Sequence, residues 1–171
     1  MKLLFTLSLI VFCFFAKAQD TLTVMAYNVL NYPLSNSTKA DTLKPIIKAT
    51  NPDIFLITEL TNSSGVTTIL NDALNVDGTS YYQSATYQNG PDTDNMLFYN
   101  SDKLTLKSQY EIPTALRNIS EYVLYYDNGG LTAGSDTAFI HCYMAHLKAS
   151  NTPQDSTKRF LETVLFKNYL D

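Results

Sequence analysis

Asn51-Pro52-Asp53-Ile54-Phe55-Leu56-Ile57-Thr58-Glu59 opens on a helix-breaking pair, runs through four consecutive apolar residues and ends on a carboxylate. A short unbroken apolar run between turn-forming and polar residues suits a strand covered on both faces. Upstream, Lys39 to Thr50 places Leu43, Ile46, Ile47 and Thr50 on one face of a helix, with Pro45 expected in its first turn or at a kink. Before that, Leu22 to Tyr27 is β-rich and mostly apolar, and Asn28 to Asn36 reads as a polar loop. Downstream, Ser63 to Ala73 carries Val66, Ile69, Leu70 and Ala73 at helical spacing. Strand, helix, strand, helix in that order predicts a layered α/β architecture.

The middle of the chain turns β-rich. Tyr81–Tyr87, Met96–Tyr99, Leu104–Tyr110, Glu121–Tyr126 and Thr137–Ala145 read as strands. Asn89-Gly90-Pro91, Asn100-Ser101-Asp102 and Asp127-Asn128-Gly129-Gly130 divide them as turns. A last helix starts with Thr152 as N-cap, Pro153 at its first position and Asp155 at its third. Phe160, Leu161, Val164, Leu165 and Leu170 are expected to form its apolar face.

The first eighteen residues differ in kind. Lys2 precedes an apolar run from Leu3 to Phe15, and Ala16-Lys17-Ala18 follows as a small-x-small site. This is the pattern of a secretory signal peptide, too short to span about 30 Å of hydrocarbon. Residues 1–18 are therefore expected to be cleaved, leaving residues 19–171 as one domain with no transmembrane segment, secreted or periplasmic. Of 171 residues, 12 are Lys or Arg and 16 Asp or Glu, a net charge of -4 that gives no global basic field for nucleic acid. With Cys13 in the leader, Cys142 is left alone and no intrachain disulfide can form.

Three site-type residues stand at strand ends: Asn28 after the first strand, Glu59 after the second and His146 after Thr137–Ala145. Strand ends are where α/β sheets bind ligands. His141, inside an apolar strand, reads as structural.

Met25-Ala26-Tyr27-Asn28-Val29-Leu30-Asn31, Asn51 to Glu59, and Tyr143-Met144-Ala145-His146-Leu147-Lys148-Ala149-Ser150 resemble, in order and spacing, the endonuclease/exonuclease/phosphatase superfamily. Asn95-Met96-Leu97-Phe98-Tyr99 with Asp102-Lys103-Leu104 is similar to its central strand pair, and Arg117 and Arg159 stand where it often carries arginines. The resemblance implies a four-layer α/β/β/α sandwich, of which roughly the first half is expected here, one sheet plus its helices. It implies that Glu59 is a carboxylate ligand of Mg²⁺, with Mn²⁺ or Ca²⁺ as alternatives. Asn28 would contribute to the same metal site, orienting a phosphate oxygen or a metal-bound water. His146 would donate to the phosphate, Asp94 or Asp92 would be its acidic partner, and Arg117 would contact phosphate.

The superfamily also carries a Gly-Asp-x-Asn and a Ser-Asp-His segment, and neither occurs in these 171 residues. The expectation is an exported, metal-dependent phosphoesterase acting on a phosphodiester (nucleic acid or phospholipid head group), here in truncated form and inactive alone. The alternative is a non-catalytic remnant or binding module whose exposed inner sheet face associates with a partner.

Overall fold

The structure, a computed structural model, describes residues 21–34, 38–126 and 137–171. The signal peptide read in residues 1–18 and the turn at Asp127–Gly130 lie outside the described residues.

Among the described residues seven strands and three helices follow one another: β1 (Val24–Tyr32), α1 (Lys39–Thr50), β2 (Ile54–Leu60), α2 (Ser63–Ile69, prolonged by a π-helical turn, Leu70–Leu74), β3 (Tyr82–Ser84), β4 (Asp94–Asn100), β5 (Leu104–Ile112), β6 (Ile119–Tyr126), β7 (Phe139–Met144) and α3 (Pro153–Leu170). The architecture is α/β, as the alternation of elements implies. β2 is central: it pairs parallel with β1 and antiparallel with β4, and Ile54 to Thr58 are all buried.

Local chemistry explains the boundaries. Asn51 takes a left-handed conformation (φ 43°) and its N–H caps α1 at Ile47 O, 2.7 Å away; Pro52 then prevents continuation. Asn62 caps α2 by accepting from the N–H groups of Ser64 and Gly65. Buried Asp53 accepts from Thr23 N at 3.0 Å, Asn100 Nδ2 at 3.1 Å and the Lys103 ammonium at 3.1 Å, which fixes the start of β2 against its neighbours. Pro45 lies in the second turn of α1 rather than the first, on the exposed side of the helix.

Two expectations need correction. β1 continues through the polar residues expected to form a loop: Tyr32 pairs with Leu60 beyond an irregularity after Asn28. Leu30 (φ 51°) and Asn31 (φ 52°) supply the left-handed backbone that lets the strand bulge and resume. The strands also form two sheets, not one. The first has the order β1-β2-β4-β3 and the second β5-β6-β7. β4 has both edges occupied, by β2 and β3, so β5 has no free ladder on it and leaves to pair with β6.

The second sheet faces the first. Ile54, Leu56 and Leu97 of one, which alternate with Phe55, Ile57 and Phe98 on the helix-facing side, share a buried core with Leu104, Tyr122 and Leu124 of the other. Asn95, 7% exposed, crosses between them: its Nδ2 donates to Asn118 O at 3.0 Å, Ser120 Oγ at 3.1 Å and Met144 O at 3.0 Å. The inner face of the first sheet is therefore covered from within the chain over β2 and β4, while on β1 Val24 and Ala26 of the same face are exposed. It stays open at one end, where Leu22, Tyr126, Ala138 and Ile140 line a cleft of about 260 Å³.

Helix α3 departs most from its sequence pattern. Its buried residues are Asp155 and Glu162, while Phe160, Leu161, Leu165 and Leu170 are 64%, 55%, 45% and 52% exposed. It is anchored on the second sheet by Tyr169, which donates to Glu121, and by Phe166 against the Tyr143 ring at 5.1 Å. No described helix is long and apolar enough to cross a membrane.

Candidate functional site

The site forms where two strand irregularities lie side by side. β1 loses register after Asn28, and β2 loses register with β4 after Ile57. Glu59 sits inside the second irregularity at φ 63°, a conformation that costs a non-glycine residue of order 1–3 kcal/mol. The bulge turns its carboxylate toward β1. Strain of this kind persists only where surrounding bonds over-determine it, and both carboxylate oxygens are bonded here. Asn28 Nδ2 donates to Oε1 at 2.9 Å, and the Asn31 backbone N–H donates to Oε2 at 3.2 Å. Asn28 is held in turn, its Oδ1 accepting from Leu30 N at 2.8 Å.

His146 arrives from the end of β7, 3.5 Å from Glu59 Oε1 through Nε2. Its Nδ1 is buried and has no hydrogen-bond partner. Burial holds the imidazole below its ordinary pKa, and the Arg117 charge adds to this against the opposing pull of Glu59, Asp92 and Glu162. Both effects favour the neutral imidazole, which has a single N–H to donate. Asn28, Glu59 and His146, spread over more than a hundred residues of sequence, meet within direct contact of one carboxylate.

The other expected site residues are placed differently. Asp94 accepts from the Tyr87 hydroxyl at 2.5 Å and from Gly90 N at 2.7 Å, which commits it to the loop before β4 rather than to the imidazole. Asp92 pairs with Arg117 Nη2 at 3.0 Å. Arg117 is engaged on every side: its Nε donates to Thr93 Oγ1 at 3.1 Å and its Nη1 approaches His146 O at 3.5 Å. Arg117 thus grips the backbone beside the site. The bonds from Asn31 N to Glu59, from Asn95 to the second sheet and from Lys148 N to Glu162 have no local sequence signal, because they depend on which elements meet.

Among the described residues no three His, Cys, Asp or Glu side chains gather as a metal cage. One fixed carboxylate with both oxygens oriented suits Mg²⁺, which keeps most of its water and leans on one or two carboxylates and substrate phosphates. The donor set fits a hydrated hard cation and not a fully enclosed one.

No protein-family profile and no curated protein matches the sequence. Solved structures do. TDP2 from D. rerio, in complex with a single-strand DNA product, is 16% identical with a TM-score of 0.57, over 86% of this chain and 54% of that one. Truncated TDP2 from Caenorhabditis elegans is 15% identical with a TM-score of 0.54, over 87% and 54% of the two chains. An endonuclease/exonuclease/phosphatase family protein from Bacteroides thetaiotaomicron is 17% identical with a TM-score of 0.54, over 90% and 58%. The chain spans a little over half the length of these structures, and over that span it has the endonuclease/exonuclease/phosphatase fold.

Proposed function

We propose that the chain is the site-bearing part of an exported, divalent-metal-dependent phosphoesterase that hydrolyses a phosphodiester by attack of water. The observation that carries this reading is the convergence of Asn28, Glu59 and His146 at a strained strand end, with Asn28 Nδ2 2.9 Å from Glu59 Oε1 and His146 Nε2 3.5 Å from the same oxygen. Glu59 would hold Mg²⁺ (Mn²⁺ or Ca²⁺ in its place), and the bonds from Asn28 and Asn31 keep both carboxylate oxygens aimed. A divalent ion held by Glu59 would supply Lewis-acid charge to a phosphate oxygen. Neutral His146 donates its N–H to a phosphate oxygen that gains charge as phosphorus becomes five-coordinate. The Arg117 guanidinium adds positive charge beside that oxygen while it fixes the His146 backbone.

The substrate class is a phosphodiester, in nucleic acid or a phospholipid head group. The DNA-bound D. rerio TDP2 favours nucleic acid, and the net charge of -4 favours binding through a local groove over a salt-sensitive basic field. The pattern of residues 1–18 favours export to the periplasm or medium.

Hydrolysis also needs a positioned, activated water, and the two further carboxylates whose charges reach His146 are engaged elsewhere, Asp92 with Arg117 at 3.0 Å and Glu162 with the Lys148 N–H at 3.0 Å. The chain by itself is therefore expected to release no p-nitrophenol from bis-p-nitrophenyl phosphate with Mg²⁺. Release abolished by EDTA and by His146→Ala would overturn the inactivity and uphold the site. Release indifferent to both would count against the site itself. A non-catalytic binding role is the second reading. It is favoured by the open cleft at Leu22, Tyr126, Ala138 and Ile140 and by edge strand β1, where Val24 is 58% exposed.

A further inference from the structure

We propose that Glu162 and Arg159 of α3 are positioning residues for His146: they hold the backbone from His146 to Ser150 and so fix where the imidazole stands against Glu59. The inference rests on the reading of His146 as a site residue.

The β6–β7 ladder ends at the pair Ser120 and Met144, and residues 145–150 belong to no strand. A segment leaving a sheet in this way would ordinarily place its first side chains loosely. Here its polar groups are taken up by side chains. Arg117 Nη1 lies 3.5 Å from His146 O, and Lys148 N donates to Glu162 Oε2 at 3.0 Å. Arg159 Nη1 donates both to Lys148 O at 3.0 Å and to Ser150 O at 2.6 Å. Ser150 has φ 84°, a left-handed conformation that turns the chain into α3, and the Arg159 bond secures it.

The burial pattern of α3 points the same way. Glu162 is 4% exposed while its neighbours Phe160 and Leu161 are 64% and 55% exposed. Burying a carboxylate in preference to leucine is costly unless the carboxylate is bonded, and the bond it makes is to the segment carrying His146. Helix α3 is oriented at this end by polar anchors rather than by its leucines.

The chain has two histidines, so a ring-proton NMR spectrum without metal or substrate holds two sets of imidazole signals. His146→Gln assigns them, and His141, 3.1 Å from Glu121, serves as the reference. Glu162→Ala is expected to shift or broaden the His146 signal, leave His141 in place and speed exchange of the Lys148 amide about tenfold. Glu162→Gln keeps an acceptor oxygen and restores Lys148 exchange, and it restores the His146 signal when spectra are taken at about pH 8, above the imidazole range, where the lost Glu162 charge does not change the ring's protonation. Phe166→Leu, which weakens an apolar contact of the same helix, leaves His146 unmoved. The proposal is overturned if Glu162→Ala leaves the His146 signal and Lys148 exchange unchanged, or if Phe166→Leu moves His146 as far as Glu162→Ala does. Should Glu162→Ala fail to fold, Arg159→Gln is read by the same criteria, and an unmoved His146 signal there overturns the proposal. Because neither metal nor phosphodiester enters the measurement, a failure of the hydrolytic reading leaves its result intact.

Discussion

Replacing Asn95 with alanine removes a side chain that donates from the first sheet to two strands of the second. The amide nitrogen serves Asn118 O, Ser120 Oγ and Met144 O, all within 3.1 Å, from a residue only 7% exposed. A net hydrogen bond contributes about 1 kcal/mol, and a buried acceptor left without a donor costs about 1–3 kcal/mol. Ser120 Oγ keeps its bond to Glu111 at 2.9 Å, so the two carbonyls carry most of the loss. The expected destabilisation is about 2–4 kcal/mol, which for a domain of this size lowers Tm by about 6–12 °C. Asn95→Asp, which offers no donor and buries a charge before three acceptors, is expected to be at least as damaging. Urea unfolding followed by circular dichroism reads the free energy, and a thermal melt reads Tm. A loss under about 1 kcal/mol for Asn95→Ala, with an unchanged denaturant slope, would mean that Asn95 does not join the sheets.

Two carboxylates are expected to respond to pH with opposite signs. At Glu121 burial raises the pKa, but hydrogen bonds from Tyr169, Tyr143 and His141, with the His141 charge, outweigh it and hold the carboxyl below its usual range. A depressed folded pKa gives stability that is present above the unfolded carboxylate range and lost as pH falls through the folded value. Glu121→Gln should therefore flatten the fall in the urea midpoint below about pH 4.5; an unchanged acid profile would contradict this. Burial raises the Glu111 pKa against the opposing bond from Ser120, so its contribution is present below the unfolded pKa and lost as pH rises through the folded one. Glu111→Gln is expected to raise the urea midpoint at pH 7 relative to pH 4, and a drop at pH 7 would refute the assignment.

Much of the fold was legible because it is written locally. The unbroken run Ile54 to Ile57 belongs to a strand with neighbours on both edges and layers on both faces, and β2 is that strand. The capping residues Thr152 and Pro153 mark the start of α3 correctly. The division into two sheets was not legible, because it follows from β3 occupying the far edge of β4, a long-range pairing that no local pattern around Leu104 records. Nor was the continuation of β1, which depends on a leucine, Leu30, adopting a left-handed conformation that its side chain disfavours. Within the site, Asn28, Glu59 and His146 could be picked out because each follows an apolar strand. The partners of Asp94 and Arg117 could not, since which polar side chain reaches them is set by loop packing around Tyr87, Thr93 and Asp92. The inward turn of Glu162 was hidden for a similar reason: helical spacing assigns the core face of α3 to its leucines.

The central claim is that Asn28, Glu59 and His146 form one site for a hydrated divalent cation and a phosphate group. Its most direct test is a Mg²⁺ titration of the chain in the presence of dimethyl phosphate, followed by NMR at the Asn28 side-chain amide and the His146 ring. Both signals are expected to shift together with a weak affinity, on the order of 1 mM, and Glu59→Ala is expected to abolish the shifts while His141 stays unmoved. Binding that survives Glu59→Ala, or shifts that bypass Asn28 and His146, would contradict it.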